Sequence, residues 1–179
     1  MKLGDICYPK SDVIIIPANS YGIMSSPIQK RVIKSGLSGI TKEIKEYITN
    51  NKIEMGDTII TGPGRLNRRG LKKIYHVVIK KLQSDFTSVY IVENALNKVF
   101  KRLIRDKVES IAICWIGIDS GDLDKKSIAR ITVEICNKYK KNMEIKIIDE
   151  NEEFVKECNN FVEKYLTKKE KKELEKGVN

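Results

Sequence analysis

The chain of 179 residues has a single histidine, four cysteines and four prolines. His76 leaves no second imidazole for a metal site or a proton relay, and its place inside an apolar run reads as a core or edge residue. The cysteines, Cys7, Cys114, Cys136 and Cys158, are scattered with no C-x-x-C pair, which argues against a structural zinc site. Cys136 and Cys158 fall in apolar helical patterns and read as core thiols. No apolar run is long enough to span a bilayer and no signal-peptide core opens the chain, so an intracellular, cytoplasmic protein without a membrane partner is expected. There is no low-complexity segment and no repeat at a fixed period, which excludes solenoid architectures. No metal and no cofactor are expected.

Positive charge is plentiful. The formal net charge is +10. That suits a partner that is a polyanion, a nucleic acid or a nucleotide. It equally suits a heat-adapted surface rich in Lys and Glu. The length predicts one domain over residues 1–166, followed by an almost wholly charged tail, 167–179, that is expected to fray.

The organising stretch runs from Ser11 to Gly36. Asp12 to Pro17 carries three consecutive Ile, the pattern of a strand buried on both faces. Ala18 to Ser26 is small and polar. Pro27 then opens a helix with Ser26 as N-cap and Gly36 as stop. Such a strand–loop–helix unit is either an ordinary crossover or a phosphate cradle, because a helix start offers unpaired N–H groups and a positive dipole end. Downstream, a helix over 41–50 precedes the β-branched strand Thr58–Thr61. Arg65, Arg68 and Arg69 occupy a loop that is either solvated or phosphate-binding, before the strand Ile74–Ile79. Thr87 caps a helix reaching Arg105, with Val89, Val92, Leu96, Val99, Phe100, Leu103 and Ile104 as its apolar face. A strand over Val108–Cys114, a helix over Lys125–Tyr139 capped by Asp124, a strand over Met143–Ile148 and a final helix capped by Asn151 complete the chain.

Strands alternating with helices predict an α/β protein, a three-layer α/β/α sandwich around a mixed central sheet. Two small-residue loops, Ala18–Ser26 and Ile116–Asp122, each follow a buried strand. If those strands are neighbours, the loops form two walls of one cleft suited to a diphosphate.

In this order the chain resembles the macro domain family of ADP-ribose binders, over nearly its whole length to Leu166. The resemblance rests on Gly4-Asp5-Ile6 and on Ile16-Pro17-Ala18-Asn19-Ser20. It continues in Met24-Ser25-Ser26-Pro27-Ile28, in Gly56 to Thr61, in His76-Val77-Val78, and in Ser110-Ile111-Ala112 through Gly121. It implies that Asp5 holds an adenine amine with the Ile6 backbone beside it. It implies Asn19 near the distal ribose, and catalytic only if the protein is an enzyme. Ser25, Ser26 and Ile28 on one side, and Gly117, Ile118, Asp119, Ser120 and Gly121 on the other, would cradle the diphosphate. The implied partner is ADP-ribose or a related adenine nucleotide. The departures imply a weakened site. Serines and Pro27 replace loop glycines, Ile16 replaces an asparagine, Asp119 adds a carboxylate, and Ile148 stands where an aromatic often stacks on adenine. Gln29 near a catalytic aspartate position can orient water but cannot deprotonate it, which leans against hydrolysis. An ADP-ribosyl or ADP-ribose-phosphate hydrolase is the enzymatic alternative. The basic surface makes an RNA-binding protein the third.

Overall fold

The computed structural model describes residues 1–82, 85–117 and 123–163. Its centre is β2 (Val13–Asn19), every residue of which is buried. β2 lies between two parallel neighbours, β4 (Lys73–Lys80) and β5 (Ser110–Ile113), so both its edges are hydrogen-bonded. β6 (Glu144–Asp149) adds in parallel to β5, and the two-residue β1 (Lys2–Leu3) adds in parallel to β6. Only β3 (Thr58–Thr61) is antiparallel, on the outer edge of β4. The sheet order is β1-β6-β5-β2-β4-β3. This is the expected mixed sheet, with β1 as an edge strand that the short apolar content of Lys2–Leu3 did not announce.

Two helical layers enclose it. α1 (Pro27–Gly36) packs on α2 (Ser38–Asn50) and on β2. α3 (Val89–Arg105) packs on α4 (Lys125–Tyr139) and on β4. A last helix, α5, covers 152–163 among the described residues, capped by Asn151 Oδ1 accepting from Phe154 N at 2.9 Å. The charged tail lies outside the described residues. No described helix is long and apolar enough to cross a membrane.

Three local expectations change. Ser88, not Thr87, caps α3, its Oγ accepting from Ile91 N at 3.2 Å. Thr87 is buried instead. Ile104 is exposed while Ala95 is buried, because Leu103 already occupies the inward position and the next residue turns about 100° away. The Arg65–Arg69 segment is a 3₁₀ turn, Gly64–Arg69, closed by left-handed Gly70.

The thiols of Cys136 and Cys158 are buried in the core, and burial pushes both up to about 12, so neither is a nucleophile near neutrality. His76 is fully buried on β4, its Nε2 2.9 Å from Thr61 Oγ1 on β3. Burial lowers its pKa from 6.5 to about 3, so the folded ring is neutral. The unfolded chain takes up a proton below pH 6.5 that the folded chain refuses until about pH 3, so stability must fall as the pH drops through that window. Urea denaturation of wild type and His76→Gln should show the wild type losing roughly 1.5 kcal/mol more than the variant between about pH 6.5 and 5. Parallel pH profiles would remove His76 as a source of acid sensitivity.

Candidate functional site

Because β1, β6, β5, β2 and β4 are mutually parallel, the segments that follow them emerge on one rim of the sheet. That rim brings together the Asp5 loop, the Ala18–Ser26 loop, the start of the second loop at Gly117, and Glu150. β2 and β5 are neighbours, so the two small-residue loops do flank one space. Backbone bonds stitch the rim together: Gly4 N donates to Asp149 O at 2.9 Å, and Ser20 N donates to Lys80 O at 3.0 Å.

Asp149, which the sequence reading passed over, is the principal tie. It is 9 % exposed. Its Oδ2 accepts from Trp115 N at 2.8 Å and its Oδ1 from Asn151 N at 2.8 Å. One carboxylate thereby joins the ends of β5 and β6 to the start of α5. The signal available in the sequence was an acid ending the apolar run Ile145–Ile148, where a solvated strand end is the ordinary interpretation.

Asn19 is buried and its amide shapes its own loop. Oδ1 accepts from Tyr21 N at 3.1 Å and Ile23 N at 3.0 Å, while Nδ2 donates to Ile23 O at 2.6 Å. Gly22 continues that turn with φ +65°, and a Cβ there would sit 2.5 Å from the Ile48 side chain of α2.

Ser26 caps α1 through a reciprocal box: Gln29 N donates to Ser26 Oγ at 3.4 Å, and Ser26 N donates to Gln29 Oε1 at 3.0 Å. Gln29 Nε2 also donates to Pro17 O at 2.8 Å, which locks the helix start onto β2. Gln29 is therefore held at both ends of its amide and does not present it to a water. The same box uses the Ser26 N–H and the Gln29 N–H, and Pro27 has none. Of the first-turn amides, the Ile28 N–H is left without an acceptor among the described residues.

A cleft of about 140 Å³ opens on this rim, lined by Pro27, Ile28, Arg31, Cys114, Trp115, Asp149 and Glu150. Arg31 and Glu150 form an ion pair across it. Trp115 is stacked on Phe154, ring centroids 4.5 Å apart, and its Nε1 is buried without an acceptor. The Ser25 Oγ on the first loop is likewise buried and unpartnered. Two larger clefts, about 200 and 260 Å³, lie along α4 against α5, and neither is lined by a strand-end loop.

Asp5 stands at the end of β1, where its Oδ1 accepts from Cys7 N at 2.8 Å and folds the loop into a turn. The turn expected of Asp5 is thus formed, and among the described residues no backbone N–H donates to its Oδ2. Ile6 is buried beneath that turn. Gly117 has φ +105°, and a Cβ would lie 2.9 Å from Leu123 Cδ1, so glycine is needed where the second loop begins. Ile118, Asp119, Ser120 and Gly121 lie outside the described residues. Arg65 and Arg68 do not join this site, since they precede β4 on the opposite rim. The Arg69 side chain reaches back to the Asp5 turn, donating to Cys7 O at 3.0 Å and to Tyr8 Oη at 2.8 Å. Among the described residues no three His, Cys, Asp or Glu side chains converge to hold a metal ion.

The sequence pattern of the macro domain family matches residues 15–132. The chain belongs to the macro domain family. It is 27% identical over 154 residues to an uncharacterized protein of Aquifex aeolicus, covering 85% of this chain and 90% of that one. Its fold is similar to that of an Oceanobacillus iheyensis macrodomain solved with ADP, with a TM-score of 0.79 at 18% identity, covering 93% of this chain and 90% of that chain. It is also similar to a Trypanosoma brucei macrodomain in complex with ADP-ribose, with a TM-score of 0.69 at 14% identity, covering 86% and 64%.

The tie through Asp149 can be measured. Asp149→Ala leaves the buried Trp115 N–H and the half-buried Asn151 N–H without their acceptor and should lower stability by about 2–4 kcal/mol in urea denaturation. An unchanged midpoint would mean that water replaces the carboxylate.

Proposed function

We propose that this protein binds ADP-ribose or a related adenine nucleotide in the rim cleft, and that the site is a weakened one. The family membership and the nucleotide-bound macrodomains it resembles support the ligand class. The observation that carries the reading is the cleft lined by the α1 start and the ends of β5 and β6, with an unmet hydrogen-bonding group in Trp115 and with the Asp5 loop following β1 on the same rim. Asp5 Oδ2 accepts the adenine amine, and the Ile28 N–H, Arg31 and the Trp115 Nε1 are the donors left for the ribose and diphosphate. Asn19, Ser25 and Ser26 support the loop that the ligand crosses.

Weakness follows from three features. The cleft of about 140 Å³ is small beside ligand pockets of about 300–1,000 Å³. The capping box has used amides that would otherwise face phosphate. Asp149 and Glu150 line the cleft against the single cation Arg31. Binding without turnover is favoured because Asn19 and Gln29 have their amides tied to backbone groups and, among the described residues, the carboxylates lining the cleft are engaged, Asp149 with the Trp115 and Asn151 amides and Glu150 with Arg31.

A thermal-shift titration with ADP-ribose tests the site, since a ligand taken only by the folded chain raises its melting temperature. No shift at saturating ligand would overturn the reading. Asp5→Asn should weaken adenine ligands about tenfold or more while sparing the inosine analogue, whose carbonyl cannot donate. Equal losses for both would remove Asp5 from the base site.

Freeing the cation gives the opposite sign. Glu150→Gln releases Arg31 from its ion pair and should strengthen ADP-ribose binding about three- to tenfold, with adenosine unaffected. Calorimetric titration of both ligands reads this directly, and an equal gain for adenosine would locate the effect outside the diphosphate.

A further inference from the structure

The excess positive charge is not spread over the molecule. Take the described connections on the cleft rim, 3–6, 19–26, 51–57, 80–82, 85–88, 113–117, 123–124 and 149–151. They contain three Lys or Arg and seven Asp or Glu. The connections on the opposite rim, 10–13, 62–73, 106–110 and 140–144, contain nine Lys or Arg and four Asp or Glu. A surface charged only for solubility or heat resistance would interleave the signs at both rims. Three of the four acids on the basic rim are already neutralised within it or beside it: Asp12 by Lys72 at 3.0 Å, Asp106 by Arg102 at 2.8 Å, and Glu144 by Lys146 at 3.1 Å. The exposed Arg65 and Arg68 make no ion pair among the described residues.

An aromatic stands where this rim meets the Asp5 turn, Tyr8, whose N–H donates to Asp5 O at 3.0 Å. Arg69 lies over the Tyr8 ring at 3.6 Å, and it donates to Tyr8 Oη at 2.8 Å and to Cys7 O at 3.0 Å. Tyr8 nevertheless stays 62 % exposed. A tyrosine held in place by a guanidinium, with arginines beside it in a 3₁₀ turn, is an arrangement on which a base can stack while its flanking phosphates meet cations. We propose that this rim, with Tyr8 at its border, is a second binding surface and that it takes single-stranded nucleic acid. Duplexes fit it less well, because their bases are not free to stack on Tyr8.

Fluorescence anisotropy of the full chain with a labelled uridine 20-mer, titrated at several salt concentrations, tests this. Affinity should fall steeply with salt. Arg65→Gln combined with Arg68→Gln should weaken binding at least about tenfold at low salt, and should make the log–log salt slope shallower by about 1.4, two phosphate contacts at about 0.7 each. Tyr8→Ala should weaken it about fivefold or more and Tyr8→Phe should restore it, since the stacking ring survives. Failure of the cleft to bind nucleotide has no bearing on this result. Absence of binding, indifference to the paired arginine change, or a Tyr8→Ala protein that holds the oligomer and a sulfated polysaccharide as well as wild type does would overturn the proposal.

Discussion

The structure depends on the burial of β2. All seven of its residues are buried, so every N–H and C=O along it must find a partner inside the protein. Both edges are therefore paired, to β4 and to β5, and both pairings are parallel. A parallel neighbour can be reached only by a long crossover, here helical, and each crossover returns the chain to the same starting rim. Once β2 is buried, the loops that follow the strands have one place to collect. The cleft comes from strand direction before any side chain in it is considered.

Side chains then determine how open that rim is. Asn19, Ser26, Gln29 and Asp149 direct their polar atoms to the protein's own backbone. Each bond stiffens the rim and subtracts one group from what a ligand could use. Gln29 shows both effects: it ties α1 to Pro17 and occupies the amide of Ser26. The unsatisfied remainder among the described residues of the rim, the Ile28 N–H, Ser25 Oγ and Trp115 Nε1, is a short set.

Much of the fold was legible because it rests on local rules. The triple Ile of β2, the Ser26 cap before Pro27, and the Asp124 and Asn151 caps each depend on residues within one turn. The family resemblance placed the same loops along the chain, and the condition that their strands be neighbours is met by β2 and β5. The site was less legible because its ties are long-range. Nothing near Asp149 in sequence shows that Trp115, 34 residues earlier, will donate to it. Nothing near Gln29 shows that its amide will reach back to Pro17 rather than to solvent. Ser88 displaced Thr87 as a cap for a similar reason, since Thr87 is drawn into the interior by packing that neighbouring residues do not reveal.

Net charge is the clearest case of a quantity that sequence states and only the fold locates. A total of +10 is compatible with a phosphate cradle in the cleft, with a polyanion surface anywhere, or with neither. The topology decides among these by sending Arg65, Arg68 and Arg69 to the rim where strands begin, while the cleft forms where strands end. The eight-residue β4 that separates the two rims spans about 26 Å, roughly three Debye lengths at physiological salt. Charge on Arg65 and Arg68 is therefore screened from a ligand on the other rim, while Arg69 reaches only the Asp5 turn. Neither compensates the acids around Arg31, and a diphosphate in the cleft would rely on that residue and on the few backbone donors that the capping of α1 leaves exposed.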